Sequence, residues 1–230
     1  MHRIAAILPA AGMGTRMGAE TPKQFLELDG TPIVIHSLRR IASCALVTDI
    51  IVATRADEVA RLEERIAKEK FKQTVRVVKG GDSRQESVAA ALNEVPKDTE
   101  IVLVHDAVRP FVTTEITREV IEAARKYGAA IAGLPAVDTV KQVERTADGA
   151  LVKATIPRER IVMAQTPQGF RYGVIKKAFD EAAADGFLGT DEASLVERAG
   201  HEVAVVMGSP RNIKITSPAD MELAEFYLKK

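Results

Sequence analysis

The sequence predicts an α/β fold with a mostly parallel sheet and helices on both faces. Three observations predict it. Short runs rich in Ile and Val alternate along the chain with segments of helical period. Most of those runs are apolar nearly throughout, as strands covered on both faces must be. Helices with readable starts lie between them, and strand, helix, strand repetition implies right-handed crossovers.

Strands are expected at 3–9, 49–54, 75–79, 100–105, 129–134 and 202–207. The first helix should begin at Thr31–Pro32, an N-cap followed by a first-turn proline. "SRQE", Ser83 to Glu86, has the spacing of a capping box and opens "SVAAALNEV". "TTEITREVIEAARKYG" stops at Gly128, a natural C-terminal residue for a helix. Ser217–Pro218 opens the last helix, "ADMELAEFYLKK". One stretch breaks the rhythm. Residues 137–160 read as two short, half-polar strands around Asp148–Gly149, a dipeptide suited to a type I′ turn. Two strands alone are marginal in water, so this arm should lean on something, either a partner subunit or its own sheet edge.

The 230 residues suffice for one large domain, here 1–230 with the arm as a subdomain within it. Apolar residues make up 46% and charged ones 28%, an ordinary globular balance. Lys plus Arg and Asp plus Glu both number 32, so no net field favours nucleic acid or an anionic membrane. The opening "IAAILPAA" is too short for a membrane span and lacks the pattern of a secretion signal. The single cysteine, Cys44, excludes an internal disulfide and reads as a buried thiol. A cytoplasmic location is expected.

Ligands of open parallel sheets bind beyond the carboxyl ends of the strands, and several unusual loops occupy that position. "LPAAGMGTRMGAETPKQF" follows the first strand, with Gly12, Gly14 and Gly18 beside Arg16 and Lys23. Glycines let backbone N–H groups approach anionic oxygens, and the two cations can grip a triphosphate. The spacing matches neither a Walker loop nor the dinucleotide fingerprint. "VKGGDSRQES" offers Gly81, Asp82 and Ser87 to read a base edge, with Ser83 as the helix cap. "VLVHDAVRP" ends a strand with Asp106, the candidate metal carboxylate, since magnesium takes one or two carboxylates plus phosphates and water. His105 reads as structural. No nucleophile elbow or triad is visible. That suits attack on a nucleotide α-phosphate by a phosphate monoester, which is mostly ionised at pH 7 because its second pKa is about 6. Such chemistry reduces to alignment and charge stabilisation.

Taken together, "PAAGMGTRMG", "PKQF", "GGDSRQES", "VHDAVRPF", "VDTVK", "QTPQGF", "TDEAS" and "NIKIT" closely resemble the 2-C-methyl-D-erythritol 4-phosphate cytidylyltransferase family. Members join CTP and that polyol phosphate, releasing pyrophosphate, in non-mevalonate isoprenoid biosynthesis. The resemblance implies a Rossmann-like nucleotidyltransferase fold, a magnesium ion, and a homodimer whose β-hairpin arms embrace. It places CTP against Pro9, Ala10, Ala11, Gly12, Gly14, Gly81, Asp82, Ser87 and Ala107. Arg16, Lys23 and Lys214 become the catalytic cations and Asp106 the metal ligand. Arg109, Thr139, Arg158, Thr166 and Thr190 would surround the polyol phosphate, with Thr139, Arg158 and Thr166 entering from the partner's arm. The sequence departs from some relatives in carrying "GSPR" before "NIK", so a second carboxylate for magnesium is not evident there.

The nearest alternative is a ribitol 5-phosphate cytidylyltransferase, disfavoured by "PAAG" in the opening loop and by "TDEAS". A nucleotide-dependent oxidoreductase would need an intact fingerprint and an acidic end to its second strand; "ATRADE" stands there instead. A CTP-binding regulatory module would have no use for residues aimed at a second substrate.

Overall fold

The computed structural model describes residues 3–12 and 22–229. Strand β1 (Arg3–Pro9) leads through a small hairpin, β2 (Glu27–Leu28) and β3 (Thr31–Pro32), into helix α1 (Ile33–Ala42) and β4 (Asp49–Thr54). Helix α2 (Val59–Ala67) precedes β5 (Thr74–Lys79), and α3 (Arg84–Asn93) carries the chain back across to β6 (Thr99–Val104). Next come α4 (Thr114–Tyr127), β7 (Ala129–Pro135), the arm strands β8 (Val140–Thr146) and β9 (Gly149–Ile156), and β10 (Val162–Arg171). Helices α5 (Tyr172–Asp185) and α6 (Glu192–Arg198), strand β11 (Ala204–Met207) and helix α7 (Pro218–Leu228) complete the chain.

Seven strands form the central sheet in the order β11-β7-β10-β6-β1-β4-β5. All neighbours run parallel except β10, which pairs antiparallel with both β6 and β7. The period-2 alternation of β1 splits the core. Ile4, Ala6 and Leu8 pack with α1 and α4 residues such as Leu38 and Val120, whereas Ala5 and Ile7 pack with Val88 of α3 and Phe179 of α5. The chain builds outward from β1 through β4 to β5, then reverses to β6 on β1's other side. That reversal opens a crevice above β1 and β6, where open α/β sheets bind ligands.

The expected strands are present within two residues at each end. Ser83 and Ser217 head full capping boxes, and Gly128 closes α4 at φ +93°. Cys44 is buried. Two expectations require correction. Thr31–Pro32 is not the start of α1: it pairs as β3 with Glu27–Leu28, and Pro32 merely precedes the first helical residue, Ile33. Asp29 and Gly30, at φ +52° and +67°, make that hairpin's turn, with the two positive angles of type I′. In the arm, Thr146 pairs with Gly149, so Ala147 and Asp148 form the turn and Gly149 starts the return strand at φ +147°.

Strand β10 has no Ile/Val run and contains Pro167, which argues against a central strand. The ladder to β7 shifts register between Ala164 and Gln168, and Pro167 falls in that gap, where no ladder bond is needed.

Candidate active site

The loops after β1, β5 and β6 meet a later segment around Lys214 in one cleft of about 140 Å³. Pro9, Ala10, Ala11, Gly12, Gly81, Asp82, Ser87, Ala107, Asp106, Lys23 and Lys214 all line it. Local sequence explains each position. Ala10 N–H donates to Ala53 O at 2.7 Å, and the buried Gln24 amide donates to Ala10 O, so the first loop is clamped from both sides. Gln24 and Phe25 are buried in a short turn that presents Lys23 to the cleft. In the segment around Lys214, Ile215 is buried and its N–H donates to Val108 O at 3.0 Å. Lys214, one residue back, lines the cleft.

The turn before α3 is held by its own side chains. Glu86 accepts from the N–H groups of Asp82 and Ser83 at 2.8 and 3.0 Å, and the Ser87 hydroxyl accepts from Gly81 N–H at 3.2 Å. A side chain at residue 81 would lie 2.3 Å from Glu86 Cβ, so glycine is required there by close approach. Ser87, donating to Ser83 O at 2.9 Å, shapes the turn that carries Gly81 and Asp82.

Charge concentrates on Asp106. Its Oδ2 lies 3.0 Å from Lys214 Nζ and 3.2 Å from Arg109 Nε, and its Oδ1 lies 3.3 Å from Arg84. Burial alone would raise this carboxyl, but Arg84, Lys214 and Arg109 together hold it well below the usual carboxylate range. Glu192, fully buried, forks onto Arg84 at 2.6 and 2.9 Å. Burial pushes the Glu192 carboxyl above its ordinary value while Arg84 opposes the shift.

Beneath the carboxylate, the ring nitrogen His105 Nε2 lies 3.0 Å from Arg109 O. A carbonyl can only accept, so Nε2 carries the proton and Nδ1 accepts from the Thr166 hydroxyl at 3.0 Å. That hydroxyl in turn accepts from Asp106 N–H at 3.0 Å. His105 is buried, hydrogen-bonded at both ring nitrogens, and reaches Asp106 through one threonine.

The remaining expected residues are spread more widely. Arg16 and Gly14 lie outside the described residues. Thr166 is not on the arm: it sits in β10, buried against Asp106 of its own chain, because the arm ends before that strand begins. Arg109 is buried behind Asp106 and donates to Asn212 O at 2.7 Å. Thr139 and Arg158 stand exposed at the base of the arm, and Arg158 donates to Val137 O at 2.6 Å. Thr190 is exposed two residues before Glu192. None of Thr139, Arg158 and Thr190 lines the cleft. Sequence reasoning missed Arg84, Glu192 and Gln24. Each lies inside a motif already singled out ("GGDSRQES", "TDEAS", "PKQF"), but only distance reveals its partner.

The fold and cleft define an α/β nucleotidyltransferase: a glycine-bearing loop at the switch point, cations around one carboxylate, and no lining contribution from His36, His105 or His201. The family model for 2-C-methyl-D-erythritol 4-phosphate cytidylyltransferase matches residues 4–230. The chain belongs to that family. A relative of that name from Acidobacterium capsulatum is 59% identical, covering 99% of this chain and 98% of its own. Another from Solibacter usitatus is 52% identical, covering 99% and 96%. Among solved structures, 4-diphosphocytidyl-2C-methyl-D-erythritol synthase from Anaerococcus prevotii superposes with a TM-score of 0.86 at 31% identity, covering 100% of this chain and 99% of that one.

Proposed function

We propose that this chain joins CTP to 2-C-methyl-D-erythritol 4-phosphate, forming 4-diphosphocytidyl-2-C-methyl-D-erythritol and pyrophosphate. The observation that carries this reading is the position of Asp106, ringed by Arg84, Arg109 and Lys214 in a cleft that Lys23 also lines. Full-length membership of a cytidylyltransferase family supports the choice of substrates.

A phosphate oxygen of the methylerythritol phosphate attacks the α-phosphorus of CTP in line, and the bond to the bridging oxygen of the β-phosphate breaks. The attacking oxygen is already ionised at neutral pH, so no base is required. Lys23, Lys214 and, from the loop outside the described residues, Arg16 meet the charge that builds on the α-phosphate. Lys214 needs only to turn from Asp106 to a phosphate oxygen. Pro9 to Gly14 and Ala107 cradle the nucleotide, and Gly81, Asp82 and Ser87 frame its base. Arg109, Thr139, Arg158, Thr166 and Thr190 serve the second substrate, with Arg109 and Thr166 acting from beneath Asp106.

Asp106 fits a magnesium ion. No cluster of three His, Cys, Asp or Glu ligands occurs among the described residues, so an ion here takes its other ligands from phosphates and water, as magnesium does. Asp106 Oδ2 accepts from Arg109 and Lys214 at 3.2 and 3.0 Å, and Oδ1 accepts two longer bonds from Arg84 at 3.3 Å, the weaker contacts that an ion would displace. The ion would neutralise triphosphate charge and ease departure of pyrophosphate.

A homodimer formed through the arm explains two further features. The hairpin exposes Val143, Leu151 and Val152, and Val162 and Val205 lie exposed over Gly133. Thr139 and Arg158, absent from their own cleft's lining, would enter the neighbour's. The chain then works as a cytoplasmic dimer. Pyrophosphate release, assayed with several polyol phosphates and all four nucleoside triphosphates, tests the reading. Release should be greatest with CTP and methylerythritol phosphate; preference for ribitol 5-phosphate, or no release by folded, magnesium-loaded protein, overturns it.

A further inference from the structure

One guanidinium joins two carboxylates from separate segments. The Nη1–Nη2 edge of Arg84 forks onto Glu192 at 2.6 and 2.9 Å, and its Nε and Nη2 reach Asp106 Oδ1 at 3.3 Å. The contacts differ in kind. Glu192 takes the short, two-bonded edge that fixes the guanidinium plane, and Asp106 receives longer bonds from the edge that remains. The Arg84–Glu192 pair is neutral as a unit. Arg84, its plane fixed by Glu192, therefore orients Asp106 through the longer pair of bonds, which an incoming cation displaces more easily than the short Glu192 fork.

Stability does not demand this arrangement. Replacing a buried ion pair by apolar side chains is often neutral or stabilising. The neighbouring residue already fastens the same two segments: Gln85 donates to Phe187 O at 3.0 Å and accepts from Gly189 N–H at 2.9 Å. Arg84 also lines the cleft directly after Asp82 and Ser83, between the loop expected to read the nucleotide and the carboxylate expected to hold the metal.

We propose that Glu192, acting through Arg84, is a positioning residue for Asp106, keeping that carboxylate oriented for the magnesium ion that accompanies CTP. This rests on the functional reading above. The test is titration of CTP into the full chain with and without magnesium, in wild type, Glu192→Gln, Arg84→Met and the double variant. Magnesium should tighten CTP binding in wild type. In Glu192→Gln that tightening should shrink by about tenfold or more, the usual cost of removing a group that orients a metal ligand, while metal-free affinity does not weaken. Arg84→Met should lose as much, and Glu192→Gln should add nothing in its background.

Undiminished tightening in Glu192→Gln, additive losses, or no magnesium effect in wild type would each overturn the proposal. If Glu192→Gln fails to fold, Arg84→Met/Glu192→Met leaves no lone buried charge: a lost magnesium effect supports the proposal and a retained one overturns it. The titration omits the second substrate. A chain that shows the expected ratios but turns over no methylerythritol phosphate would therefore refute the functional reading and leave this one standing.

Discussion

Acid should loosen this fold through one imidazole. Burial pushes His105 from its ordinary 6.5 down to about 4, against the opposing pull of the Arg109 carbonyl. Below pH 6.5 the unfolded chain takes up a proton that the folded chain refuses until about pH 4. The unfolded state thus binds more protons across that window, and stability falls as pH falls through it. Above pH 6.5 the stability tied to this group is fully present. A displacement of this size corresponds to roughly 3 kcal/mol by pH 4, at about 1.4 kcal/mol per unit. For a chain of this length, that is roughly 6–12 °C in Tm.

Asp106 does not confuse the measurement. Its carboxyl is held low, so its share is lost only below the unfolded value of about 3.9. His105→Gln should lower stability at pH 7, because it disturbs a buried contact, yet flatten the decline between pH 6.5 and 4 by that roughly 3 kcal/mol. Urea unfolding of metal-free wild type and variant at closely spaced pH values reads the difference. Parallel stability curves for the two proteins would refute the reasoning.

Lys23→Ala should lower kcat by about 10²–10³ with the fold intact, the loss typical of removing one preorganised charge-stabilising donor; steady-state turnover and circular dichroism check both halves. Gly81→Ala puts a methyl 2.3 Å from Glu86 Cβ, so the turn must shift. A cost of about 1–3 kcal/mol in chemical unfolding and weaker CTP binding by titration are expected. Mixing Arg16→Ala with Arg158→Ala subunits should restore part of the turnover if each arm completes its neighbour's site. Wholly inactive mixtures, with exchange verified by mass spectrometry, would count against that arrangement.

Much of the fold was legible because its signals are local. The apolar runs of β1 and β4 need no context, since any strand covered on both faces must look like them. Ser83, Gly128 and Ser217 announce helix ends through bonds within a few residues. β10 was not legible: its place beside β6 depends on partners more than 60 residues away, and its proline is tolerated only because the ladder slips at that point. Thr31–Pro32 misled for the opposite reason, a sound local signal overridden by a two-residue strand pairing.

The site divides the same way. Glycine loops, a carboxylate after a strand and a base-free cleft could be named from residue types, because phosphate chemistry restricts which types can serve. Sequence by itself determined the fold class, the nucleotide loops, Asp106 and the cations expected around it. Only the tertiary structure decided that Arg84 is shared between Asp106 and Glu192, that Thr166 belongs under its own chain's carboxylate, and that Arg109 stands behind it. Spacing along a chain encodes helix and strand periods. The partner of a charge is chosen by distance in space, and in water-poor surroundings that choice sets which groups are ionised and which are free to act.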